Sequence, residues 1–125
     1  MDIQKQIEYW EKSSGEDFSA AEALLEKGYI RHSLFFAHLS LEKMLKAHVT
    51  KQTNNIPPRI HNLIRLTEIS EISIDEERKA FLRECGVYQL EGRYPDSEQI
   101  ELDVDFTKKE LGKAKEMLEW LKNQL

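Results

Sequence analysis

Apolar positions recur along this chain with the three-to-four-residue spacing of helices packed on a common core. In "SGEDFSAAEALLEKG", Phe18, Ala21, Leu24 and Leu25 share one face and Gly28 supplies a stop. The upstream run "IQKQIEYWEKS" extends that helix, with Tyr9 and Trp10 as expected core anchors. A second helix is predicted from about Ile30 to Val49. It ends before "TNNIPP", whose prolines and asparagines oppose continuation.

Its central stretch, "RHSLFFAHLSLEKMLKAH", is apolar around most of its circumference, which marks a buried helix. Further on, Ile60, Leu63, Ile64 and Leu66 in "RIHNLIRLTEIS" predict a short third helix. "SIDEERKAFLRECGVYQLEG" predicts a fourth, capped by Ser73 or Asp75 and acidic in its first turn. "RYPDSEQIELD" reads as an exposed loop. The final helix, "VDFTKKELGKAKEMLEWLKNQL", directs Phe106, Leu111, Met117, Leu118 and Leu121 inward. No run alternates at strand period for long enough to compete. The fold class is therefore all-α: an up-and-down helical bundle of four main helices plus a short fifth, in a single domain over residues 1–125.

Composition narrows the function classes. A formal charge of −5 argues against strong nucleic-acid binding without excluding a local basic patch. The single cysteine, Cys85, excludes an internal disulfide and a cysteine-based zinc site, as suits a cytoplasmic protein. No segment resembles a signal peptide or reaches membrane-spanning length. The four histidines, His32, His38, His48 and His61, are too scattered to suggest a metal site, and no glycine-rich phosphate loop or nucleophile elbow is present. No cofactor is expected.

The charges embedded in the second helix are the main chemical feature. At about 100° per residue, with Leu34 at zero, His38 projects about 40° away and Glu42 about 80° away. His38 and Glu42 are therefore surface neighbours on the helix, where a carboxylate can fix an imidazole's tautomer. Contact between them, at a groove between helices, is expected. Lys43 projects about 180° from Leu34. A polar ligand cluster looking into a groove between helices fits this pattern, and so does a core histidine satisfied by Glu42 or a carbonyl with the lysines solvated.

Four segments resemble the HEPN domain family of prokaryotes: "W…DF..AEALLEKGYI", "SLFFAHLSLEKMLKAH", "PPRIHNLIRL" and "RYPD". The most specific parts are Ala37-His38, Glu42-Lys43, Lys46-Ala47 and the tetrapeptide Arg93-Tyr94-Pro95-Asp96. The resemblance implies a helical bundle that is usually a homodimer. Many such proteins act with a minimal nucleotidyltransferase, and nucleotide binding has been proposed for the family. On that basis His38, Glu42, Lys43, Lys46, Arg93, Tyr94 and Asp96 are the ligand-binding candidates. Arg93 would supply a phosphate fork and Tyr94 a ring to stack on a base.

Other branches of the family are metal-independent ribonucleases, toxins among them. Their signature, an arginine and a histidine with four to six residues between them, lies in the C-terminal half of the bundle. Here Arg31 and His38 match that spacing, but on the second helix, and no histidine follows His61. The resemblance thus leans to a non-catalytic subunit rather than an enzyme. A ribonuclease toxin of a toxin–antitoxin pair and a plain dimerisation scaffold remain the alternatives. The breadth of the second helix's apolar surface also argues for a dimer that covers it.

Overall fold

The structure, a computed structural model, describes residues 2–93 and 103–125, with side chains described for all of these but 87–93. Five helices run in chain order: α1 (Ile3–Glu26), α2 (Ile30–Thr53), α3 (Leu63–Ser70), α4 (Glu76–Arg93) and α5 (Val104–Lys122). Four are long and α3 is short, as the hydrophobic spacing predicts. There is no strand among the described residues. The predicted loop after Arg93 lies outside the described residues up to Asp103.

Local chemistry sets the helix ends. Asp2, Asn62, Asp75 and Asp103 each accept a hydrogen bond from the backbone N–H three residues on, at 3.1, 3.0, 2.8 and 2.6 Å. Each cap satisfies one of the N–H groups that a helix start leaves without an internal partner. Asp75 rather than Ser73 thus opens α4. At the end of α1, Gly28 adopts φ 82°. Its N–H donates to Leu25 O, and Tyr29 N–H reaches back to Leu24 O. This paired closure needs a left-handed residue, where glycine carries no Cβ penalty.

α2 is the central element and packs on α1, α3, α4 and α5. Of the residues from Ser40 to Thr50, Lys43 alone is not buried. Small residues let α1 approach closely. Ser14 Oγ donates to Ser40 O at 2.6 Å and Ser33 Oγ to Ala21 O at 2.7 Å. Used this way, the two buried hydroxyls are themselves paired. On the far side, His48 Nε2 donates to Leu121 O at 2.8 Å, tying α2 to the C-terminal turn of α5.

One expectation is corrected here. Tyr9 is 59% exposed, and of the two aromatic anchors placed in α1 only Trp10 is half-buried. The buried stripe of α1 is Ile7, Ser14, Phe18 and Ala21, and Tyr9 projects from the opposite face. From Ser40 to Thr50, apart from Lys43, α2 is buried within one copy by α1, α3, α4 and α5. In the last helix Leu111, Met117, Leu118 and Leu121 are buried as expected, while Phe106 is half-buried.

Candidate functional site: a buried carboxylate between Lys46 and His61

α2 carries two ionisable side chains deep in the bundle one turn apart, Glu42 and Lys46, at 3% and 9% side-chain exposure. Lys46 Nζ donates to Glu42 Oε2 at 3.0 Å. A glutamate four residues N-terminal to a lysine is the favourable orientation for such a pair. Lys46 Nζ also lies 5.4 Å from the centroid of the Trp10 ring on α1, within cation–π range.

The carboxylate has a second partner. Both of its oxygens lie 3.1 Å from His61 Nδ1, brought in from the segment between α2 and α3. His61 directly precedes Asn62, the cap of α3, so the start of that helix fixes where its backbone sits. A carboxylate only accepts, so the ring nitrogen facing it carries a proton. The His61 side chain is 54% exposed, against 3% for its partner. Glu42 is thus a buried hinge between an enclosed ammonium and a solvent-facing imidazole.

No hydrogen bond between His38 and Glu42 is among the described contacts. Both residues are buried, at 2% exposure each, deeper than the groove position expected. The hydrogen bonds described for Glu42, however, run to Lys46 and His61. Lys46 is as close to Glu42 around the helix as His38 is, about 40° away. A charged donor makes the stronger bond to a carboxylate. Lys46 is buried, whereas the core-histidine alternative had it solvated.

Lys43 belongs to a different neighbourhood. Its Nζ pairs with Asp17 Oδ2 at 2.7 Å and donates to Ser13 Oγ at 2.8 Å, both on α1. Arg93 is the last residue of α4 and its side chain is not among those described. Tyr94 and Asp96 lie outside the described residues. Of the seven candidates, only Glu42 and Lys46 are joined by described contacts. Two surface clefts, of about 350 Å³ between α4 and α5 and about 580 Å³ between α1 and α5, have none of the candidates among their described lining residues.

The ribonuclease-like spacing of Arg31 and His38 also finds its physical meaning. A general acid or base must reach the scissile phosphate. His38 is enclosed at 2% exposure and cannot meet an RNA chain in this conformation. His48, likewise buried, is held below the usual histidine range chiefly by desolvation, partly countered by its bond to Leu121. His61 is the member of this polar group that reaches solvent, and spacing alone did not single it out. Its partner lies 19 residues away in sequence, beyond any helical period.

A match to the HEPN domain model extends over residues 7–124. The chain belongs to the HEPN domain family. No curated protein and no solved structure gave a match. Within the HEPN fold seen here, the family segment "AH…EK.LKA" supplies the buried Glu42–Lys46 pair, and "PPRIHNLIRL" supplies its third member, His61.

Proposed function

We propose that this HEPN protein is a non-catalytic subunit that binds a nucleotide or substrate and acts with a minimal nucleotidyltransferase. The observation that carries the reading is the enclosure of His38. The chain's one arginine–histidine pair at ribonuclease-like spacing has its imidazole in the core, where it supports packing rather than proton transfer. Binding chemistry is available instead at the Lys46–Glu42–His61 corner, where a buried ion pair positions an exposed imidazole.

Partnership with a nucleotidyltransferase and self-association as a homodimer rest on the family resemblance. A cytoplasmic setting fits the single, buried, free Cys85. No described helix is long and apolar enough to cross a membrane.

The test is recovery of the tagged chain from its native cell, followed by mass spectrometry. A nucleotidyltransferase recovered in near-stoichiometric amount supports the reading. Its absence, together with growth arrest on expression that His38→Ala relieves, would favour the ribonuclease toxin instead.

A further inference from the structure

The Glu42–His61 contact has a feature that stability alone does not require. The Glu42 carboxylate already has a charge-assisted partner in Lys46 at 3.0 Å, itself backed by the Trp10 ring. A neutral, buried ion pair is complete at that point. His61 nevertheless aligns Nδ1 with both carboxylate oxygens while its side chain stays 54% exposed.

With Nδ1–H committed to Glu42, the other ring nitrogen, Nε2, lies on the edge away from the carboxylate, and no hydrogen bond to it is described. The proton on Nδ1 cannot migrate to that edge without breaking the contact, so the tautomer is fixed. A proton added at Nε2 would make an imidazolium flanked by Glu42 on one edge and by whatever docks on the other. Because Lys46 already balances Glu42, that proton would give the corner a net positive charge. An oxyanion neutralises it; a neutral hydrogen-bond donor does not.

We propose that His61 is the phosphate-contacting residue of this HEPN chain, its Nε2 donating to a phosphate oxygen, and that Glu42 is a positioning residue acting through it. The inference rests on the nucleotide-binding reading above and adds to it the atom that meets the anion. It also accounts for the local layout. Lys46 is spent inside on Glu42 and Lys43 is spent on Asp17, so neither ammonium is the exposed contact. The imidazole is the group the pair delivers to the surface.

The experiment uses the full chain labelled with ¹⁵N-histidine and two probes, pyrophosphate and AMP, titrated separately to millimolar concentration. The expected result is movement of the His61 Nε2 resonance toward the protonated range with Nδ1 unchanged, and an affinity about tenfold or more lower in His61→Gln, the worth of one charge-assisted hydrogen bond. His61→Gln sits at a half-exposed position, so folding is preserved, and an unchanged helical circular dichroism spectrum checks this. Glu42→Gln is expected to leave a folded protein whose His61 ring shows a mixture of tautomers and whose probe affinity falls. A purely structural contact would not produce that signature.

Response to pyrophosphate and AMP alike assigns the contact to phosphate itself; response to AMP alone assigns it to a nucleotide's phosphate. Binding of either probe with equal affinity in wild type and His61→Gln, or with the His61 resonances unmoved, overturns the inference and leaves the nucleotide reading standing. No binding of AMP or pyrophosphate by calorimetry up to millimolar concentration overturns both.

Discussion

Replacing Glu42 with alanine isolates the most consequential polar contact in the bundle. The substitution leaves Lys46 at 9% side-chain exposure with its ammonium facing a methyl group. Removing one partner of a buried pair costs about 3–5 kcal/mol, because the remaining charge stays desolvated without compensation. The Trp10 ring at 5.4 Å offsets about 1 kcal/mol of that, which places the expected loss near the lower end. At about 2 cal/mol/K of unfolding entropy per residue, a chain this size loses ~4 °C of Tm per kcal/mol, so a fall of about 12 °C is expected.

Thermal unfolding followed by circular dichroism at pH 7 reads this directly. Two controls frame it. His61→Ala removes a partner that is already half in water and is expected to cost about 1 kcal/mol or less. The double variant Glu42→Ala/Lys46→Met removes the stranded charge and is expected to recover at least half of the loss. A fall of less than ~4 °C in Glu42→Ala, the size expected of an exposed pair, would show that the pair is solvated and refute the reasoning.

Further outcomes follow from other buried groups. Burial holds His48 below its ordinary value of 6.5, so the unfolded chain takes up its proton first. The stability tied to neutral His48 is therefore complete above about pH 6.5 and is lost as pH falls from there toward the folded value. Denaturant unfolding between pH 7 and pH 5 should show this decline, and His48→Gln should flatten it. Asp75, held below the usual carboxylate range first by the Arg78 backbone N–H, contributes only at still lower pH. Cys85 is buried and its thiol is pushed far up, chiefly by desolvation, so a thiol reagent at pH 8 should label the folded protein only at the rate of unfolding. Leu45→Ala, at a fully enclosed α2 position, is expected to cost about 2–5 kcal/mol, measured by the same denaturant series.

The helices were legible because their signals are local. Asp2, Asn62, Asp75 and Asp103 sit where a cap is needed, and Gly28 sits where a left-handed residue is needed. The misplacement of Tyr9 has an equally local cause. The inward stripe of α1 includes Ser14, a polar residue whose hydroxyl is satisfied by Ser40 O, so hydrophobicity alone blurred which face turns inward. The candidate site was only half legible. Glu42 and Lys46 were visible as charges on a greasy helix, but helical spacing offered His38 and Lys46 as equally near partners for the carboxylate. The choice depended on bond strength and on what α1 and the α2–α3 segment bring up beside it. His61 reaches Glu42 through the fold rather than through sequence spacing, and no periodicity could pair them.

The claim that this HEPN chain is not itself a nuclease is most directly tested by incubating purified protein in EDTA with single-stranded RNA at enzyme excess. The account predicts intact RNA over hours, for wild type and His38→Ala alike, because the His38 imidazole is enclosed at 2% exposure. Cleavage by the wild type that persists in EDTA and disappears in His38→Ala would contradict it.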